Sequence, residues 1–228
     1  MNLIKYQVNL DDGREFFFEV DLERDEQASM APPGEHAQWT RLDCHRCSNC
    51  PLDSSQATHC PAAVDIENIA ENFVQTMSIA RADVWVHTND RSYFKNCDSQ
   101  TFLKSLFGLV MATSGCPILS RLKPMAQFHL PFATVEETVH RLIGSYLISQ
   151  YLNYKEESVA PDWDLKGIDA LYKELKTVNI DFMTRMRTAS QEDASINAMQ
   201  SYVSISSIVG MGVDDILSKL LPLLKKGL

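Results

Sequence analysis

The sequence predicts an α+β fold: a small antiparallel sheet from two hairpins with a cysteine-rich loop, followed by a mainly helical body. Three observations carry that prediction. Strand-like alternation of apolar and polar residues is confined to the first 98 positions. A polar, cysteine-crowded stretch interrupts it between 44 and 60. From residue 99 onward, apolar residues recur at helical spacing. The 228 residues read as a single domain over 1–228, with an α+β part over 1–98 and a helical part over 99–228.

Tyr6, Val8 and Leu10 alternate with polar residues, as do Phe16, Phe18 and Val20. Asp12-Gly13 between the two runs is a turn signal, so residues 4–21 read as a hairpin. A polar segment containing Pro32-Pro33-Gly34 leads into the cysteine region. That region is an irregular loop of about 20 residues, long enough to need something that orders it, and a bound ion is one candidate. Ile66, Ile69, Ala70, Phe73, Val74 and Met77 keep helical spacing and predict an amphipathic helix over 62–79. Val84, Val86, Tyr93 and Phe94 flank Asn89-Asp90 and suggest a second hairpin, with both hairpins in one sheet and the helix over a face.

Phe102, Leu103, Leu106, Phe107 and Val110 mark a helix broken at Gly115-Cys116-Pro117. Residues 118–133 contain Pro124 and Pro131 and read as irregular. Thr134 with Glu137 makes a capping box for a helix running to about 154. Ile168, Leu171, Leu175, Val178, Phe182 and Met186 define another long helix. Two more are expected over 193–209 and 213–225, the last disturbed by Pro222.

The formal net charge of −9 argues against nucleic acid and against an anionic membrane surface, since both call for a basic face. The first residues, Met-Asn-Leu-Ile-Lys-Tyr, carry no apolar export core, and no apolar run approaches the roughly 18 residues that span a bilayer. Without an export route the six cysteines are expected to be reduced thiols or ligands in a cytoplasmic protein.

Cysteine is the informative residue. Cys44-His45-Arg46-Cys47-Ser48-Asn49-Cys50-Pro51 is followed by His59-Cys60-Pro61. Sulfurs two residues apart can converge on one ion, because a short turn brings both to the same side. A tetrahedral zinc needs four ligands, and two sets compete. The local set is Cys44, Cys47, Cys50 and Cys60, with His45 or His59 as substitutes. The long-range set is Cys47, Cys50, Cys60 and Cys116. The run C-x-x-C-x-x-C also belongs to ferredoxin-type cluster sequences, but Cys60 stands too far from Cys50 for a full match. An iron–sulfur cluster therefore stays open. The plainer alternative, small buried hydrophobes, suits Cys97 and suits a polar loop with four cysteines poorly.

Other candidates are weaker. Glu137 and His140 have the E-x-x-H spacing of di-iron carboxylate bundles, yet a second copy is missing. His129, in Phe128-His129-Leu130-Pro131-Phe132, reads more simply as a hydrogen-bonded core residue than as a ligand. No phosphate-binding glycine motif or nucleophile elbow occurs.

Cys47-Ser48-Asn49-Cys50-Pro51-Leu52, His59-Cys60-Pro61-Ala62, Thr113-Ser114-Gly115-Cys116-Pro117-Ile118-Leu119 and the His129 segment resemble signatures of an uncharacterised family of bacterial proteins. That family brings no established activity. The resemblance implies a C-x-x-C-P, C-P, G-C-P pattern, which favours Cys47, Cys50, Cys60 and Cys116 and leaves Cys44 peripheral. The resulting expectation is a non-catalytic metal-binding protein with a Cys-ligated zinc. The alternatives are a [4Fe-4S] or thiol-based redox sensor or enzyme, and an interaction scaffold with incidental cysteines. A protein partner fits any of the three; nucleic acid and membrane do not.

Overall fold

The computed structural model describes residues 2–25, 30 and 34–189, with positions 196, 217, 218, 222 and 225 beyond them. The helices expected over 193–209 and 213–225 lie outside the described residues apart from those single positions.

Both hairpins form, and they share one sheet. Strand β1 (Leu3–Leu10) pairs antiparallel with β2 (Glu15–Asp21) and, on its other side, with β3 (Arg81–His87). Strand β4 (Ser92–Asp98) pairs with β3, giving the order β2-β1-β3-β4. Gly13, at a φ of 90°, takes the left-handed turn position that a side chain would resist. Register puts Tyr6 opposite both Phe18 and Val86, and Val8 opposite Val84, so the apolar residues of each strand share one face. Ile4, Tyr6, Val8, Phe18, Val20, Val84, Val86 and Cys97 are buried there, in the core that also receives the helices.

Helix α1 (Pro61–Asn72) buries Ala62, Ala63, Ile66, Ile69 and Ala70. It ends earlier than the expected 79, for a packing reason. Phe73 leaves helical geometry and drops fully into the core, its ring 4.6 Å from that of Phe16 and 5.3 Å from that of Phe102. The following turn is held by Ser99 N–H on the Ala80 carbonyl and Gln100 N–H on that of Ser78. Met77, read as part of the apolar stripe, is instead exposed.

Helix α2 (Ser99–Ala112) is capped by Asp98, whose carboxylate accepts from Thr101 N–H at 2.9 Å. Residues 118–133 are more regular than expected. A 3-10 turn spans Leu119–Leu122, and a short helix α3 (Lys123–Gln127) follows. Pro124 lies in its first turn, where the missing N–H costs nothing. Helix α4 (Val135–Glu157) carries the expected capping box, with both reciprocal bonds between Thr134 and Glu137 present. Helix α5 (Lys166–Ala189) turns Ile168, Leu175, Val178, Phe182 and Met186 inward. Among the described residues no helix is long and apolar enough to cross a membrane.

Candidate metal centre

The cysteine loop is closed at its base before any sulfur is considered. Arg41 and His59 form an isolated antiparallel bridge, flanked by Leu42 N–H on the Thr58 carbonyl at 2.9 Å and Cys60 N–H on that of Thr40 at 2.7 Å. Within the loop, Cys50 N–H bonds the Cys47 carbonyl at 3.0 Å, the tight turn that brings C-x-x-C sulfurs to one side.

Three segments then meet. Cys47 and Cys50 come from the loop, Cys60 from the residue before α1, and Cys116 from the turn after α2. All four line one cavity of about 20 Å³, closed by Val178 and Phe182 of α5. The space is about that of a single water molecule. The four residues of the long-range set are thus brought together. The proposed substitutes are not. Cys44 and His45 lie outside the cavity, and His45 is exposed at a φ of 47°. His59 turns the other way: its ring meets that of His36 at 5.3 Å, and its Nδ1 lies 2.7 Å from the Thr40 hydroxyl. That hydroxyl donates to the Ala37 carbonyl, so the Nδ1 of His59 must carry the proton between them.

Local sequence explains how each sulfur is presented. Pro61 opens α1 and has no N–H, so the amides of Ala62 and Ala63 are the ones that face the Cys60 sulfur, that of Ala63 also bonding the Cys60 carbonyl at 2.9 Å. The amides of Ile118 and Leu119 face the Cys116 sulfur in the same way. Upstream, the Thr113 hydroxyl bonds the carbonyls of Leu109 and Val110, and that of Ser114 bonds the carbonyl of Met111. The Thr113-Ser114-Gly115 run therefore ends α2 with the carbonyls of Leu109, Val110 and Met111 satisfied and leads to Cys116 at the cavity.

All six cysteines are free. Burial pushes the Cys47 thiol up to about 12, and its cysteine neighbours add to the effect. Burial likewise pushes Cys116 up to about 11 and raises Cys60, the latter against a pull from Arg185. With no cation between them these are protonated thiols at neutral pH, the opposite of a reactive thiolate. Among the described residues, no group of three or more Cys, His, Asp or Glu side chains is already set to hold a metal ion.

One residue of this site went unread in the sequence. Arg185 of α5 is 1% exposed and acts electrostatically on both Cys47 and Cys60. Its guanidinium donates to the carbonyls of Trp39 at 2.8 Å, Arg41 at 2.6 Å and Leu42 at 3.4 Å. Its Nε is buried without an acceptor, and no carboxylate pairs with it at ion-pair distance among the described residues. The signal was present: Val178, Phe182 and Arg185 keep core spacing, which puts a cation on the apolar stripe. Helix α5 ties the loop down elsewhere too, through Ser48 on Asp181 and the Asn49 side chain on the Glu174 carbonyl at 3.1 Å.

The other sequence candidates resolve simply. His140 is exposed and Glu137 is occupied as a cap. Cys97 is buried under the sheet. The Nε2 of His129 lies 2.7 Å from the Tyr6 hydroxyl, which is itself 2.8 Å from that of Ser105.

Fold and site together define an α+β protein with a four-cysteine cavity at the seam between its sheet-bearing and helical parts. The chain belongs to the family described as Domain of unknown function (DUF6901), which it matches over residues 4–224. No curated protein and no solved structure matches it.

Proposed function

We propose that this is a non-catalytic metal-binding protein in which Cys47, Cys50, Cys60 and Cys116 hold one zinc ion. The observation that carries the reading is the convergence of four thiols from three separate segments on one cavity the size of a water molecule. Zinc–thiolate bonds of about 2.3 Å would require the side chains to close inward on loading. Two further features support it. Arg185 is buried beside these cysteines with Asp43 acting on it only from a distance, and four thiolates around a divalent cation would add negative charge near it. The amides facing Cys60 and Cys116 are donors suited to thiolate sulfur.

Cavity size favours zinc over a [4Fe-4S] cluster, whose eight core atoms would need the packing of Val178 and Phe182 to open. Enclosure of the four sulfurs also suits a structural ligand set better than a redox-sensing cysteine, which needs solvent access. Metal content and an absorption spectrum on protein purified anaerobically test the proposal. About one zinc per chain with no visible band is the expected result for a closed thiolate site. Iron with sulfide and a broad band near about 400 nm would replace zinc by a cluster. Absence of any stoichiometric metal would overturn the reading in favour of an interaction scaffold.

A further inference from the structure

A second cavity, of about 130 Å³, lies between α2, α3 and the start of α4. None of its lining residues belongs to the cysteine cavity. Leu109, Met125 and Phe132 give it an apolar body, and Lys104, His129 and Arg141 stand in its wall. No carboxylate lines it. A cavity of about 150 Å³ holds benzene, so this one suits a ring or a short branched chain.

The two cations are short of counter-charge. Neither Lys104 nor Arg141 makes an ion pair among the described residues. Arg141 gives one Nη2 hydrogen bond to the Met125 carbonyl at 2.5 Å, while its Nε is buried and without an acceptor. The carboxylates that act on these cations from a distance are already engaged. Asp98 caps α2 through Thr101, and Glu137 closes the Thr134 capping box. Burial holds both cations below their ordinary values, and Lys95 beside Lys104 adds to its shift. His129 lends no positive charge, since burial keeps it neutral.

We propose that this cavity binds a small organic carboxylate, its apolar body among Leu109, Met125 and Phe132 and its carboxylate on the guanidinium of Arg141, with Lys104 alongside. A guanidinium that lines an apolar cavity with no carboxylate in its wall gains most from an anion, which makes the stronger, charge-assisted hydrogen bond.

Titration of the full chain with benzoate and 3-methylbutanoate, against benzamide and inorganic phosphate, tests this by calorimetry and by shift in melting temperature. The carboxylates should bind and raise the melting temperature, while benzamide, which loses the charge-assisted hydrogen bond, and phosphate, which has no apolar body to bury, should bind at least about tenfold more weakly. Arg141→Gln should weaken benzoate by a similar factor. Lys104→Gln, on the cavity rim, serves as the second variant should Arg141→Gln fail to fold, and should weaken it less. Equal binding of benzoate and benzamide would reduce the site to an apolar void and overturn the proposal. So would phosphate binding as well as benzoate, or no carboxylate binding at millimolar concentration.

Discussion

One carboxylate oxygen of Asp181, on α5, accepts both the backbone N–H and the hydroxyl of Ser48, at 2.7 and 2.9 Å, across 133 positions of chain. The pair fixes the tip of the cysteine loop to the last described helix. Asp181→Ala should therefore loosen the loop more than it unfolds the protein. A loss of about 1 kcal/mol in urea unfolding is expected for partly solvated bonds. Amide exchange over residues 44–58 should accelerate well beyond that of β1 and β3. Uniform acceleration across the chain would sink the idea of a local latch.

Arg24 and Asp65 form a partly buried ion pair, a two-pronged contact at 2.7 and 2.5 Å, with the aspartate side chain 5% exposed. Burial pushes the Asp65 carboxyl up, and Arg24 opposes this. Arg24→Ala strands the carboxylate and should cost about 3 kcal/mol, the usual penalty for breaking such a pair. The double variant Arg24→Ala with Asp65→Asn should recover a measurable part of that. A double variant no more stable than the single one would show that Arg24 matters through packing instead.

His129 supplies a pH dependence whose sign is fixed. Burial, with Arg141 nearby, drives its pKa down to about 3. In the unfolded chain it titrates near about 6.5, so below that pH the unfolded state takes up the proton first. The contribution of neutral His129 is complete above about 6.5 and is lost as pH falls toward 3. Urea midpoints measured from pH 7 to 4 should fall, and His129→Gln should flatten that fall. Parallel curves for the two proteins would refute it.

If the ion joins the loop to the helical body, part of its binding energy is folding energy. A strong chelator should lower the melting temperature of the wild-type protein by several degrees, since about 1 kcal/mol shifts a domain of this size by roughly 2–4 °C. Cys60→Ser and Cys116→Ser should abolish the chelator response, whereas Cys44→Ser and Cys97→Ser should keep it. A chelator-insensitive wild-type chain would remove the structural role.

Local rules made much of this molecule legible. The hairpins follow from alternation around Asp12-Gly13 and Asn89-Asp90, and the start of α4 from Thr134 and Glu137, because each signal acts within a few residues. The end of α1 was not legible, since it is decided by where Phe73 packs among rings from β2 and α2. Pro124 was read as a breaker although its place in a first turn makes it a starter. The four cavity cysteines could be named from their pattern, but not the partners of α5. Arg185 reaches carbonyls 143 to 146 positions away, and no spacing rule spans that distance.

That the cavity is closed by Val178 and Phe182 sets an order of events during synthesis. A nascent chain that has emerged only through the sheet and α1 offers three of the four cavity thiols, Cys47, Cys50 and Cys60, to the cell. Cys116 comes later, and the wall that excludes water later still. Such non-local closure is slow relative to hairpin and helix formation. Between the exit of Cys47 and the docking of α5, these sulfurs are open to oxidants and to competing soft cations. If the cavity takes up a metal ion, its choice of occupant is therefore made partly by what is present while α5 is still being added.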